Sequence, residues 1–249
     1  MSEKIDVLAI AAHPDDVELC CAGTLAKLAR QGLKCGILDL TQGEMGTRGT
    51  PEMRLEEAQN AARVLGMQCR LNLGLPDNGL TNTPGHQMSI IKAIRDLQPD
   101  ICLINAPDDR HPDHGHAHKL TLDALYYSGL RKWETKDDEG TSQAVWRPGH
   151  IFYYMQDRPF EPDLIFDISD TQEIKEKAIL AFESQFNVPE SDSEPQTYIS
   201  GQNFFVMLRG RSRFYGHQIG VDYGEPFQYH GGPIPFMSFT EIIKHKPMR

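Results

Sequence analysis

The chain has 249 residues, 39% of them hydrophobic and 24% charged, and its 25 Lys and Arg against 35 Asp and Glu give a formal net charge of −10. That is globular composition, long enough to bury a substantial core without disulfides or a structural metal. The acidic balance, with no run of five or more basic residues, excludes a nucleic-acid partner held by a basic field.

In chain order, the apolar stretch from Val7 to Ala12 is too short for a signal sequence or a membrane span. It reads as the core of a buried strand over 5–12, and nothing here expects a membrane partner. Further continuously apolar runs predict strands at 34–41, 68–73 and 100–105, as expected of parallel strands covered on both faces. Between them fall helices: 16–31, ended by Gly32; one opened by Thr50-Pro51 and ended by Gly66; then 85–97 and 114–130. This alternation is that of βαβ units on a parallel sheet. Two more strands are predicted near 150–155 and 163–168, followed by a helix from a capping box at Asp170 and Glu173 to Phe186 and a last helix over 196–210. The acidic stretch NVPESDSEP is too short for a linker, so the expectation is a single domain over 1–249, α/β, doubly wound and mostly parallel, with a C-terminal elaboration. Five cysteines without a C-x-x-C pattern, Cys20, Cys21, Cys35, Cys69 and Cys102, read as free thiols in a reducing cytoplasm.

A doubly wound sheet binds ligands beyond the carboxyl ends of its strands, where strand order reverses; in the order 3-2-1-4 this lies between strands one and four. The first predicted strand ends in His13-Pro14-Asp15-Asp16, and the fourth leads into His111-Pro112-Asp113-His114. His13, Asp16 and His114 make a suitable zinc set with an open position for water, and Asp15 can take a proton from that water. The competing readings are that Asp15 and Asp16 are helix caps, and that His111, His114, His116 and His118 are a solvated helix start, with His114 and His118 also spaced to chelate together. Co-location at the two strand ends favours the metal site. No G-x-G-x-x-G follows the first strand and no G-x-S-x-G elbow exists; the glycines of 43–49 are expected in a mobile loop at the site mouth.

AHPDD and the later HPDH resemble the LmbE-like, or PIG-L, family of zinc-dependent N-acetylglucosamine deacetylases. LTQGEMGTRGTPEMRLEEA, LNLGLPDNGL, PDDRHPDHGHAHKLTLDALYYSGLRK and GHQIGVDYGEPF are similar to its bacillithiol branch, whose members deacetylate N-acetylglucosaminyl-malate. The resemblance implies a Rossmann-like fold, an amino-sugar substrate and homo-oligomers, often hexamers. It makes His13, Asp16 and His114 the zinc ligands, Asp15 the general base, and His111, oriented by Asp113, the group that stabilises the oxyanion or protonates the amine. Arg54, Arg110 and Tyr198 match positions that contact the malate or the sugar; for Arg54 a surface ion pair with Glu57 is the plain alternative. Two histidines with one carboxylate also suit iron(II). Other readings left open are another N-acetylglucosaminide such as diacetylchitobiose or a mycothiol-type precursor, a non-catalytic zinc- or sugar-binding protein, and phosphoester hydrolysis, which calls for two metals. The role of His217 is not assigned.

Overall fold

Residues 4–186, 193 and 195–232 are described by a computed structural model. Its first five strands, β1 (Val7–Ala11), β2 (Cys35–Thr41), β3 (Cys69–Leu75), β4 (Ile101–Asn105) and β5 (His150–Tyr154), pair in parallel in the order β3-β2-β1-β4-β5. The predicted reversal between the first and fourth strands is therefore present. β1 alternates its side chains between two cores: Val7, Ala9 and Ala11 pack on one face, Leu8 and Ile10 on the other.

The helices are α1 (Asp16–Cys20), α2 (Ala22–Arg30), α3 (Pro51–Leu65), α4 (Pro84–Leu97), α5 (Pro112–Tyr127), α6 (Gln172–Leu180) and α7 (Gln202–Gln218). α3 starts and stops where its punctuation said: Thr50 accepts the Met53 N–H, Pro51 takes the first turn, and Gly66 is left-handed. α5 begins two residues before its predicted start, because Pro112 occupies the first helical position behind His111 as N-cap.

Four expectations need correction. The first predicted helix is two, broken at Cys21, because the Glu225 carboxylate accepts the Gly23 and Thr24 N–H groups and starts α2 afresh. α6 begins behind Thr171 and not from an Asp170 capping box, since Asp170 pairs with Lys27 and Arg30; it ends at Leu180 as Phe182 and Phe186 turn into the core. The last helix lies at 202–218 and not 196–210, running through Gly210 and Gly216, the latter packed directly on the backbone at Tyr223. A seventh strand went unread: β7 (Gly224–Tyr229) lies antiparallel between β5 and β6 (Leu164–Asp167), giving β5-β7-β6 at that edge. The acidic stretch after Phe186 falls almost wholly outside the described residues. All five cysteines are free, four of them buried, and no described helix is long and apolar enough to cross a membrane.

Glu225 joins three elements. Besides the two amides of α2 it accepts Thr24 Oγ1 at 2.6 Å and pairs with the buried Lys175 of α6 at 2.6 Å. Glu225→Ala strands that ammonium in the core and is expected to lower the unfolding free energy by about 3–5 kcal/mol in urea denaturation. A loss below about 1 kcal/mol, the value of an exposed pair, would show that water reaches Lys175.

Candidate metal centre and substrate cavity

Proline after His13 and after His111 forces an extended approach to each helix start, so both motifs turn sharply at the strand ends. At the first turn Asp15 takes a left-handed conformation, φ 110°, which for a side-chain-bearing residue costs on the order of 1–3 kcal/mol. It makes no cap bond. Instead Arg54 Nη2 donates to Asp15 Oδ2 at 3.0 Å and to the Pro14 carbonyl at 2.6 Å. Asp15 thus holds the N-cap position of α1 without capping it through its side chain. The surface pairing of Arg54 with Glu57 fails, since Glu57 accepts from Ser184. Arg54 is buried, and its Nε has no protein partner among the described residues.

Asp16 is the hub. Its Oδ2 accepts the His13 N–H at 3.0 Å and lies 3.6 Å from His13 Nδ1, while Oδ1 lies 3.1 Å from His114 Nε2. The far nitrogen of each ring meets another carboxylate: His13 Nε2 is 3.2 Å from Asp77 Oδ1, and His114 Nδ1 bonds Asp109 Oδ2. These outer carboxylates fix the tautomers, turning the lone pairs of His13 Nδ1 and His114 Nε2 toward Asp16. Two imidazoles that each lie within 3.6 Å of one carboxylate are donors of the kind that hold a divalent cation of the zinc type, and the donor sets that converge most tightly bring in further residues. The donor atoms of His13, His111 and His114 all lie within 4.8 Å of one another, as do those of His13, Asp77 and Asp113.

Without a metal, the charges say the same. Burial alone would lower His13, but bonds to Asp113, Asp16 and Asp77 outweigh it and raise the ring well above its ordinary value. His114, likewise buried, is raised to about 9 by Asp16 and Asp109. Asp16 falls well below the carboxylate range, its burial overcome by His114 and His13. Two protons thus sit where a cation can replace them. Asp15 differs: burial pushes it up to about 7, against the pull of Arg54.

His111 lies with its ring centroid 4.8 Å from that of His13 and 5.2 Å from that of His114. Its Nδ1 accepts the Asp113 backbone N–H at 3.2 Å, so the neutral ring carries its proton on Nε2. Burial, then the charges of His13 and His114, hold it below its ordinary value. Asp113 thus orients His111 through its amide; its carboxylate faces the Asn78 N–H at 2.7 Å and His13. His118 does not chelate with His114, because its Nδ1 bonds the Asn105 carbonyl and its ring packs edge-on against Tyr153.

Beside this cluster opens a cavity of about 350 Å³. One wall is apolar, from Ile199, Phe204, Met207 and Leu208. Arg110, half exposed, pairs with Asp157 at 3.0 Å and lies 4.4 Å over the Tyr198 ring, whose hydroxyl donates to Asp157 at 2.9 Å. The 43–49 loop does reach the cavity, through Met45, Gly46 and Thr47. It is tied to the Asp77 turn: Met45 N–H donates to Asp77 Oδ2 and Asp77 N–H to Glu44 Oε1. His217, in the last turn of α7, is not among the cavity residues. Sequence reading missed Asp109, Asn105 and Gln156, all buried, and the partly buried Asp77; Asp77 and Asp109 stand inside motifs already singled out, LGLPDNGL and PDDRHPDH.

Residues 8–125 match the model of the PIG-L family, GlcNAc-PI de-N-acetylase. A diacetylchitobiose deacetylase of Thermococcus kodakarensis is 33% identical over 238 residues, covering 90% of this chain and 82% of that one. A probable N-acetyl-α-D-glucosaminyl L-malate deacetylase of Bacillus anthracis is 30% identical over 138 residues, covering 50% of this chain and 61% of that one. Among solved structures, a conserved protein of Thermus thermophilus superposes with a TM-score of 0.83 at 38% identity, covering 95% of this chain and 99% of its own.

Proposed function

The chain belongs to the PIG-L, or LmbE-like, family of N-deacetylases, and from that premise we propose that it hydrolyses the acetamide of N-acetylglucosaminyl-L-malate, using zinc held by His13, Asp16 and His114. The observation that carries the metal assignment is the pair of outer carboxylates, Asp77 and Asp109, that turn two histidine lone pairs toward Asp16.

When bound, such an ion supplies Lewis acidity toward a water and an amide carbonyl. The chain's own groups do the rest. Asp15, poised near 7 by burial, takes the proton of the attacking water, and it can return that proton to the departing amine. His111, with its proton on Nε2, donates to the oxygen that gains charge as the carbonyl becomes tetrahedral. The cavity beside them holds the sugar and its aglycone against the apolar wall.

Support for the malate aglycone comes from Arg110, half exposed at the cavity and braced by Asp157 and Tyr198, a guanidinium suited to two parallel bonds with a carboxylate. The second reading, a neutral disaccharide, draws on the same geometry: Arg54 and Arg110 each already face an aspartate. Amine release from N-acetylglucosaminyl-malate and from diacetylchitobiose, with one equivalent of zinc, separates the two. A tenfold or greater preference for the malate substrate is expected, and the reverse preference would select the disaccharide. Arg110→Ala is expected to lower kcat/KM for the malate substrate by about 10- to 100-fold, the scale of a bond to a charged group, with little change on the disaccharide. Equal losses on both substrates would assign Arg110 to the shared sugar.

A further inference from the structure

Asp16 has two oxygens and both are spoken for by donors. The His13 N–H holds Oδ2, and Gln156 Nε2 holds Oδ1 at 3.0 Å, while lying 3.4 Å from His114 Nε2. Gln156 lies two residues beyond the end of β5 and is buried, so its amide is committed to this place. An amide has a donor end and an acceptor end, and an ionised carboxylate accepts only, so the NH2 must face Asp16. That leaves Oε1 at the other end, where it accepts Asn105 Nδ2 at 2.8 Å from the end of β4. Asn105 is itself buried, and its carbonyl accepts from the His118 ring at 2.9 Å. Arg211 of α7 closes the arrangement by donating to the Gln156 carbonyl.

We propose that Gln156 is a positioning residue for the metal centre: oriented by Asn105, it fixes the rotation of the Asp16 carboxylate and so decides which oxygen lone pairs remain for a cation between His13 and His114. The relay Asn105 to Gln156 to Asp16 connects the ends of β4 and β5 to the motif after β1, three strands that the fold brings together at the site. It specifies geometry at the hub without supplying a ligand atom. It also gives β5 a part in the site that its own apolar sequence does not announce.

This inference rests on His13, Asp16 and His114 being the metal site, and the experiment separates the two. Zinc affinity is measured by chelator competition, and ligand geometry by the visible absorption of the cobalt(II)-substituted protein, for wild type, His13→Ala, Gln156→Met and Asn105→Ala. Met keeps the volume of Gln and removes the donor; circular dichroism of each metal-free variant reports folding. Gln156→Met is expected to weaken zinc by about 10- to 100-fold with an altered cobalt spectrum, the usual scale for outer-shell partners. Asn105→Ala, which touches no proposed ligand, is expected to weaken zinc by about tenfold on its own and to add little in the Gln156→Met background. Affinity within twofold of wild type and an unchanged spectrum in Gln156→Met would overturn the proposal. Should Gln156→Met not fold, Asn105→Ala carries the test by the same criteria. If His13→Ala binds as wild type does, it is the metal assignment that fails.

Discussion

Asp15→Asn is expected to retain one zinc per chain and to lose between about 10² and 10⁴ of kcat, with KM changed far less. Among the described residues no hydrogen bond joins the Asp15 carboxylate to either imidazole of the hub. Its carboxylate is engaged by Arg54 at 3.0 Å, and an asparagine can turn its oxygen to the same guanidinium, so the left-handed turn keeps its anchor. What the substitution removes is a proton acceptor that burial has tuned to about 7. Metal content by mass spectrometry and turnover by amine release check both halves, and wild-type kcat in a zinc-loaded variant would remove Asp15 from the mechanism.

His114→Ala is expected to empty the metal site and to abolish turnover by more than about 10³-fold, beyond the 10²–10³ that a single oxyanion donor contributes. The ring is one of two neutral donors at the hub, and its removal leaves Asp16 and Asp109 facing a void. The matched control is His118→Ala. His118 is as buried as His114 and one turn further along α5, yet it bonds a backbone carbonyl and packs on Tyr153. It is expected to hold zinc at one equivalent; equal metal loss in both variants would show that the α5 histidines chelate as a pair.

The parts of this molecule that are legible in sequence are those whose causes are local. β1 is apolar throughout and β4 in all but its last residue, α3 carries its cap, proline and terminal glycine within its own sequence, and the two His-Pro-Asp motifs announce themselves at strand ends. What is illegible has distant causes. Cys21 breaks a helix because a carboxylate on β7, some two hundred residues on, reaches the amides of α2. β7 itself contains Pro226, which argues against an interior strand. The proline is tolerated because the ladder to β5 reaches only as far as Phe227 and does not call on the nitrogen at 226. Asp77, Asp109 and Gln156 are single polar residues whose partners lie 5 to 140 positions away, and no spacing rule collects them.

The position of β7 has a consequence for how the chain is made. β6 pairs with β7, and β7 in turn pairs with β5, so neither outer strand can join the sheet until residues 224–229 have left the ribosome. Until then β5, which leads by way of Met155 to Gln156, stands as an open edge, while the first four strands can already assemble around the two histidine motifs. An arrested nascent chain ending before Gly224 would therefore present a formed half-site beside an unpaired strand, the geometry that recruits chaperones or a second nascent chain.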